Sequence, residues 1–215
     1  MENKTRAMLA EFLQERNEHP EKAAEIDAQI REVFSETHAI MVMDMSGFSR
    51  MTIAHGIIHF LSMIHRMHQI ALPTVEEHGG EVIKWEADNV FAVFPEVERA
   101  VEAAIDILKR FSAANTMLPE EMDMHGKFGI GYGETLIIER DDLYGSEVNL
   151  ASKLGEDLAG RGEILLTEEA FSRVDPAAQN YEEEHLSISG LELIVHRVKY
   201  DPAARSVVSN DGLKA

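Results

Sequence analysis

Residues 79–94 read GGEVIKWEADNVFAVF, and their pattern decides the fold. Two apolar runs of strand length, EVIKW at 81–85 and NVFAVF at 89–94, flank Glu86-Ala87-Asp88, a spacing that predicts a β-hairpin with a tight turn. Upstream, a helical apolar pattern runs from about 49 to 77, with Pro73 placed to kink or break it. It follows HAIMVMDM at 38–45, a buried strand interrupted by Asp44, and the turn Ser46-Gly47. Downstream, 96–114 puts Val97, Ala100, Val101, Ala104, Ile107 and Leu108 on one helical face. HGKFGIGYGETLIIE at 125–139 then reads as a strand whose glycines mark a close approach of backbone or ligand. The order βαββαβ predicts an α+β protein with a ferredoxin-like core. A helix at 146–158, the strand EILLT at 163–167 and strand-like runs at 183–189 and 192–199 extend it.

Toward the N-terminus, 3–17 and 20–34 read as two helices divided at His19-Pro20, the second with an apolar stripe of Ala23, Ile26, Ile30, Val33 and Phe34. They form either a packing extension or a dimerisation or relay segment. The expected organisation is a helical extension (1–35), one domain (36–200) and a tail (201–215). The 215 residues carry a formal net charge of −19, which disfavours a nucleic-acid partner, although local cations or metal ions still allow a small polyphosphate ligand. Cysteine is absent, which excludes disulfides and thiolate metal sites. No stretch has the apolar length of a signal-peptide core or a bilayer span, so the expectation is a cytoplasmic protein with no membrane association.

Asp44 ends an apolar strand just before a turn and a helix start. A buried charge there is costly unless it is paired or binds a metal. Asp88 lies in the turn of the following hairpin, which a ferredoxin-like sheet brings close to the first strand. Two carboxylates plus phosphate oxygens suit Mg²⁺. Beside them, Ser46-Gly47-Phe48-Ser49 offers backbone N–H groups at a helix start, a seat for phosphate. Taken singly, each feature fits an ordinary surface turn.

Together the motifs resemble the class III adenylate and guanylate cyclases across residues 36–200. DMSGFS (44–49), GGEVIKWEADNVFAVF (79–94), GIGYGE (129–134) and DDLYGSEVNLASKL (141–154) stand in that family's order. The resemblance implies that Asp44 and Asp88, with the Met45 carbonyl, hold two Mg²⁺ (or Mn²⁺) ions. It implies that Lys84 and Asp142 read the purine edge and select ATP, and that Asn149 positions the ribose. The implied reaction is ATP to 3′,5′-cyclic AMP and pyrophosphate, in a homodimer whose subunits share each active site.

Four departures from the family pattern bear on catalysis. Lys153 replaces an arginine four residues after the asparagine, keeping charge but losing the planar fork. Ile188-Ser189-Gly190-Leu191-Glu192 holds no cation where the family places a triphosphate ligand, with Arg197 and Lys199 as loose substitutes. Ala87 replaces glycine before Asp88, a strained choice if that turn needs positive φ. The stretch between Gly133 and Asp142 is shorter than the dimerisation arm of many members. The alternatives are therefore a weak or inactive nucleotide-binding or dimerisation module, or a cyclase of another base preference. His55, His59, His65 and His68 fall on one helix and read as surface or dimer-facing groups rather than a metal site. Trp85 reads as packing, and Glu86 and Glu147 as solvated acids.

Overall fold

The computed structural model describes residues 4–47, 53–188 and 191–201. Two residues of the expected phosphate loop, Phe48 and Ser49, lie outside the described residues, as does the tail from 202.

Eight strands form one sheet: β1 (Ser35–Met45), β2 (Glu81–Glu86), β3 (Asn89–Phe94), β4 (Gly126–Ile138), β5 (Asp142–Tyr144), β6 (Ile164–Thr167), β7 (Asn180–Ile188) and β8 (Leu191–Lys199). Their order is β2-β3-β1-β4-β6-β8-β7, with β5 paired to β4. The first four strands follow the ferredoxin-like arrangement that the βαββαβ pattern predicts. β1 is central, antiparallel to both β3 and β4.

The period-2 alternation of β1 divides the molecule. Met41, Met43 and Met45 face α3 (Ile57–Glu77) and α4 (Val97–Asn115), where they pack with Met63, Met67, Ile107 and Phe111. Each large side chain buried there contributes about 1.5–3 kcal/mol relative to exposure. Ile40 and Val42 face the other way, toward Ile83, Phe91 and the α5 residues (helix Ser146–Ser152) Val148 and Ala151. Asp44 is next in that second row.

The helices depart from the sequence reading in instructive places. The helical pattern is interrupted at Gly56, which sits at φ +85° between the helical residues 53–55 and α3, and its expected start near 49 lies outside the described residues. Pro73 does not break α3. The helix continues to Glu77, and Thr74 donates its hydroxyl to the Ile70 carbonyl at 2.7 Å. The expected helix at 146–158 changes winding at Lys153, where Lys153–Leu158 forms a π-helical turn. Among the described residues, no helix is long and apolar enough to cross a membrane.

α1 (Arg6–Glu18) and α2 (Ala23–Phe34) pack as an extension of the domain, with a short turn between them at Pro20–Lys22. Ile26, Ile30 and Phe34 of α2 join Met8, Leu9 and Phe12 of α1 against Leu136 and Ile138 at the end of β4.

Candidate active site

The alternation that buries Ile40 and Val42 carries Asp44 onto the same face, and the β1–β4 register sets Lys127 directly opposite. Lys127 Nζ lies 2.6 Å from Asp44 Oδ2, and both side chains are only about one-sixth exposed, at 15% and 16%. Asp88 comes from the β2–β3 turn, and its carboxyl group lies close enough to that of Asp44 for each to feel the other's charge. Burial, and then the charge of Asp44, push the Asp88 carboxyl up to about 6, against a smaller opposing pull from Lys127. Ala87, which precedes Asp88, stands at φ +52°, so the turn does demand the conformation that glycine adopts freely.

Sequence reasoning missed Lys127. The available signal was an opposite-charge cross-strand pair, visible only once the antiparallel register is drawn. Glu156 was missed as well. It lies on the π-helical turn, its backbone carbonyl accepts from Lys127 Nζ, and its carboxyl is raised by burial and by the charge of Asp44.

A second cluster forms at the sheet edge. β2 bulges at Ile83, which brings Lys84 over the Phe91 ring at 5.0 Å, on the face of Ile40 and Val42. Lys84 Nζ donates to Asp142 Oδ1 at 2.9 Å, joining residues 58 apart in the chain. Asp142 belongs to β5, a three-residue strand that the sequence pattern did not reveal. Burial disfavours its charge, but hydrogen bonds from Tyr144, Lys84 and the Leu143 N–H prevail and hold its carboxyl down at about 2.

The glycines of GIGYGE seat α5. A Cβ on Gly129 would lie 2.0 Å from the Ala151 carbonyl, and one on Gly131 would lie 2.8 Å from the Glu147 carbonyl. The close approach expected at these glycines is therefore made by backbone. Asn149 of α5 and Lys153 just past its end lie one turn apart, and neither side chain makes a hydrogen bond or ion pair among the described residues. The Lys153 N–H reaches the carbonyls of Asn149 and Leu150, four and three residues back, and the wider π-type bond runs from the Ala159 N–H to the Leu154 carbonyl at 2.7 Å.

Several expectations change. Glu147 is not a solvated acid, because its carboxylate accepts from the Tyr132 N–H at 3.2 Å and the Thr167 hydroxyl at 2.7 Å, tying α5 to β4 and β6. The Ser46 amide donates to the His125 carbonyl at 2.8 Å, which leaves it engaged rather than presented to a ligand; Gly47 follows at φ +89°. Arg197 pairs with Glu163 and Glu184 at 3.0 and 2.9 Å, and Lys199 pairs with Glu182, so both loose substitutes for a phosphate cation are committed to acids of this chain. Trp85 is 54% exposed, touching His68 edge-on rather than filling a core. His55 precedes Gly56 and so lies outside the helix that carries His59, His65 and His68, its ring tilted 34° to that of His59 with centroids 4.8 Å apart. Among the described residues, no three His, Asp or Glu side chains converge as a metal cage.

Comparison with known proteins places this geometry in a structural class. No family model matches the chain. It is 30% identical over 130 residues to "Putative adenylate cyclase 3" of Rhizobium meliloti (strain 1021), an overlap of 60% of this chain and 22% of that protein. The chain thus spans about a fifth of the length of that curated relative. Its fold resembles the adenylyl cyclase CyaB of P. aeruginosa with a TM-score of 0.66 at 18% identity, covering 78% of this chain and 96% of that one. It also resembles the catalytic core of a rhodopsin-guanylyl cyclase with converted specificity, solved with ATPαS, with a TM-score of 0.65 at 15% identity over 77% and 98% of the two chains. The fold is that of the class III adenylyl and guanylyl cyclase catalytic domain.

Proposed function

We propose that this chain is the catalytic module of an adenylate cyclase, converting ATP to 3′,5′-cyclic AMP and pyrophosphate. The observation that carries the proposal is the meeting of Asp44 and Asp88 from separate elements. Two neighbouring carboxyl groups beside the Lys127 ammonium form an oxygen-donor pair that suits a divalent cation, with phosphate oxygens completing its shell. Asp44, Asp88 and the Met45 carbonyl would hold two Mg²⁺ or Mn²⁺ ions. Bound there, the ions would lower the pKa of the ribose 3′-hydroxyl and offset the charge on the α-phosphate and leaving pyrophosphate.

The other roles fall to organic groups of the chain. Lys84 donates to the adenine ring nitrogen and Asp142 accepts from the exocyclic amine. Guanine offers the opposite pattern, an acceptor and a donor exchanged, so ATP is the favoured substrate. Asn149 orients the ribose, Lys153 supplies a charge to the phosphates, and the residues that follow Ser46 (Gly47, Phe48 and Ser49) seat them. Catalysis rests on positioning and electrostatic stabilisation.

The working unit is a homodimer in which Asp44 and Asp88 of one subunit face Asn149 and Lys153 of the other. The partnerless side chains of Asn149 and Lys153 support this, as do the exposed apolar groups Ile57, Ile58 and Leu61 of α3 and Trp85 of β2, each at least 53% exposed. The substrate places the module in the cytoplasm.

A second reading, a nucleotide-binding module with little or no turnover, is favoured by the commitment of Arg197 and Lys199 to acidic partners. Incubating the purified chain with each nucleoside triphosphate and Mg²⁺ or Mn²⁺ separates the readings. Cyclic AMP formed from ATP and lost in Asp44→Ala supports the first. ATP binding with no cyclic product supports the second. Cyclic product from GTP alone overturns the assigned base preference.

A further inference from the structure

The β4–β5 connection is an unusual place to hang a recognition residue. Its turn residues Glu139 and Arg140 both adopt positive φ, +54° and +57°, without being glycine. The N-terminal segment braces them. The Glu139 N–H donates to the Lys4 carbonyl at 2.9 Å, and the Arg6 N–H donates to the Glu139 carboxylate at 3.2 Å. From the same residue, the Arg6 guanidinium reaches Asp141 Oδ1 at 2.8 Å and Asp142 Oδ2 at 3.3 Å.

Asp142 is thereby saturated. Lys84 Nζ and the Leu143 N–H donate to Oδ1 at 2.9 and 3.0 Å, while the Tyr144 hydroxyl and Arg6 donate to Oδ2 at 2.6 and 3.3 Å. Four donors meet a carboxylate that has about four lone-pair positions. An incoming amine needs one of them. Arg6 makes the longest of the four contacts, its side chain is 51% exposed, and it keeps Asp141 as a partner when it lets go. The other donors are a backbone amide, a short hydroxyl contact and the lysine of the base-reading pair.

We propose that Arg6 is a specificity-determining residue that occupies the acceptor position of Asp142 in the free chain and must be displaced by the adenine amino group. This inference rests on the base-reading role of Asp142. It makes the N-terminal segment a gate on ATP: any movement of α1 that withdraws Arg6 opens the acceptor.

The test is calorimetric titration of the full chain with α,β-methylene-ATP and its GTP counterpart in the presence of Mn²⁺. Arg6→Ala is expected to tighten the ATP analogue about threefold to tenfold and leave the GTP analogue within about twofold, with Arg6→Lys intermediate. In an Asp142→Ala background, the Arg6→Ala effect is expected to vanish, since the two act through one contact. Unchanged or weakened ATP-analogue binding in Arg6→Ala, with Asp142→Ala still altering base preference, overturns the gate and leaves the base reader intact. An unchanged preference in Asp142→Ala itself removes the base-reading role, and the gate with it.

Discussion

Two aspartates on one face of the same sheet meet opposite fates. Asp88 is forced against Asp44 in a half-buried corner, and its carboxyl rises to about 6. Asp142 is also partly buried, yet four donors surround it and its carboxyl stays near 2. At the first corner, among the described residues, Lys127 is the cation that pairs with Asp44 beside its acidic neighbours. The second is complete within the chain. Environments that push like groups in opposite directions mark different chemical tasks. On the proposed function, the first corner would take cations, while the second would serve as a hydrogen-bonding template.

The largest expected effect lies at the first corner. Asp44→Ala and Asp88→Ala are each expected to reduce cyclic nucleotide formation on the order of a hundredfold or more, measured by product chromatography under saturating ATP. Retained activity in either variant would break the comparison at its root. At the second corner the expected effect is on choice rather than rate. The double change Lys84→Glu with Asp142→Cys is expected to lower the ATP-to-GTP ratio of kcat/KM about a hundredfold, and an unaltered ratio removes these residues from base reading.

Stability should separate the corners next. Because Asp88 is raised, its contribution is fully present below its ordinary range and lost as pH rises through about 6. Mn²⁺ at pH 7.5 is therefore expected to raise the thermal midpoint of the wild type by a few degrees and leave Asp88→Ala unmoved, read by differential scanning fluorimetry. Asp142 runs the other way: its depressed carboxyl contributes stability above its ordinary range, lost as pH falls through about 2. An acid titration of Asp142→Asn should lack that part of the loss between about pH 4 and pH 2 seen in the wild type. The smallest effect belongs to the turn. Ala87→Gly relieves a left-handed alanine and is expected to add about 0.5–1 kcal/mol in urea denaturation.

Much of the architecture was legible because local patterns carry it. The alternation in HAIMVMDM assigns β1 and both of its faces, and the i, i+3, i+4 spacing of Val97, Ala100, Val101 and Ala104 assigns α4. β5 was not legible, since a three-residue strand shows no period and exists only through pairing with β4. Nor was the winding change at Lys153. It occurs where Gly155 meets the Val42 carbonyl and the Gly129 amide, a fit between two segments that neither displays alone. At the candidate site, Asp44 and Asp88 stood out by their settings and Lys84 and Asp142 through the resemblance, but their partners Lys127, Tyr144 and Arg6 did not.

By itself the sequence marked Asp44 and Asp88 as candidates for chemistry, because a charge placed in an apolar strand or at a hairpin turn is costly and stands out against its neighbours. Tertiary structure alone decided how each charge is balanced. Lys127 answers Asp44 through strand register, and Arg6 answers Asp142 across 136 residues through the docking of the N-terminal helices. Electrostatic balance depends on distance in space, and chain order encodes that distance only through the packed fold.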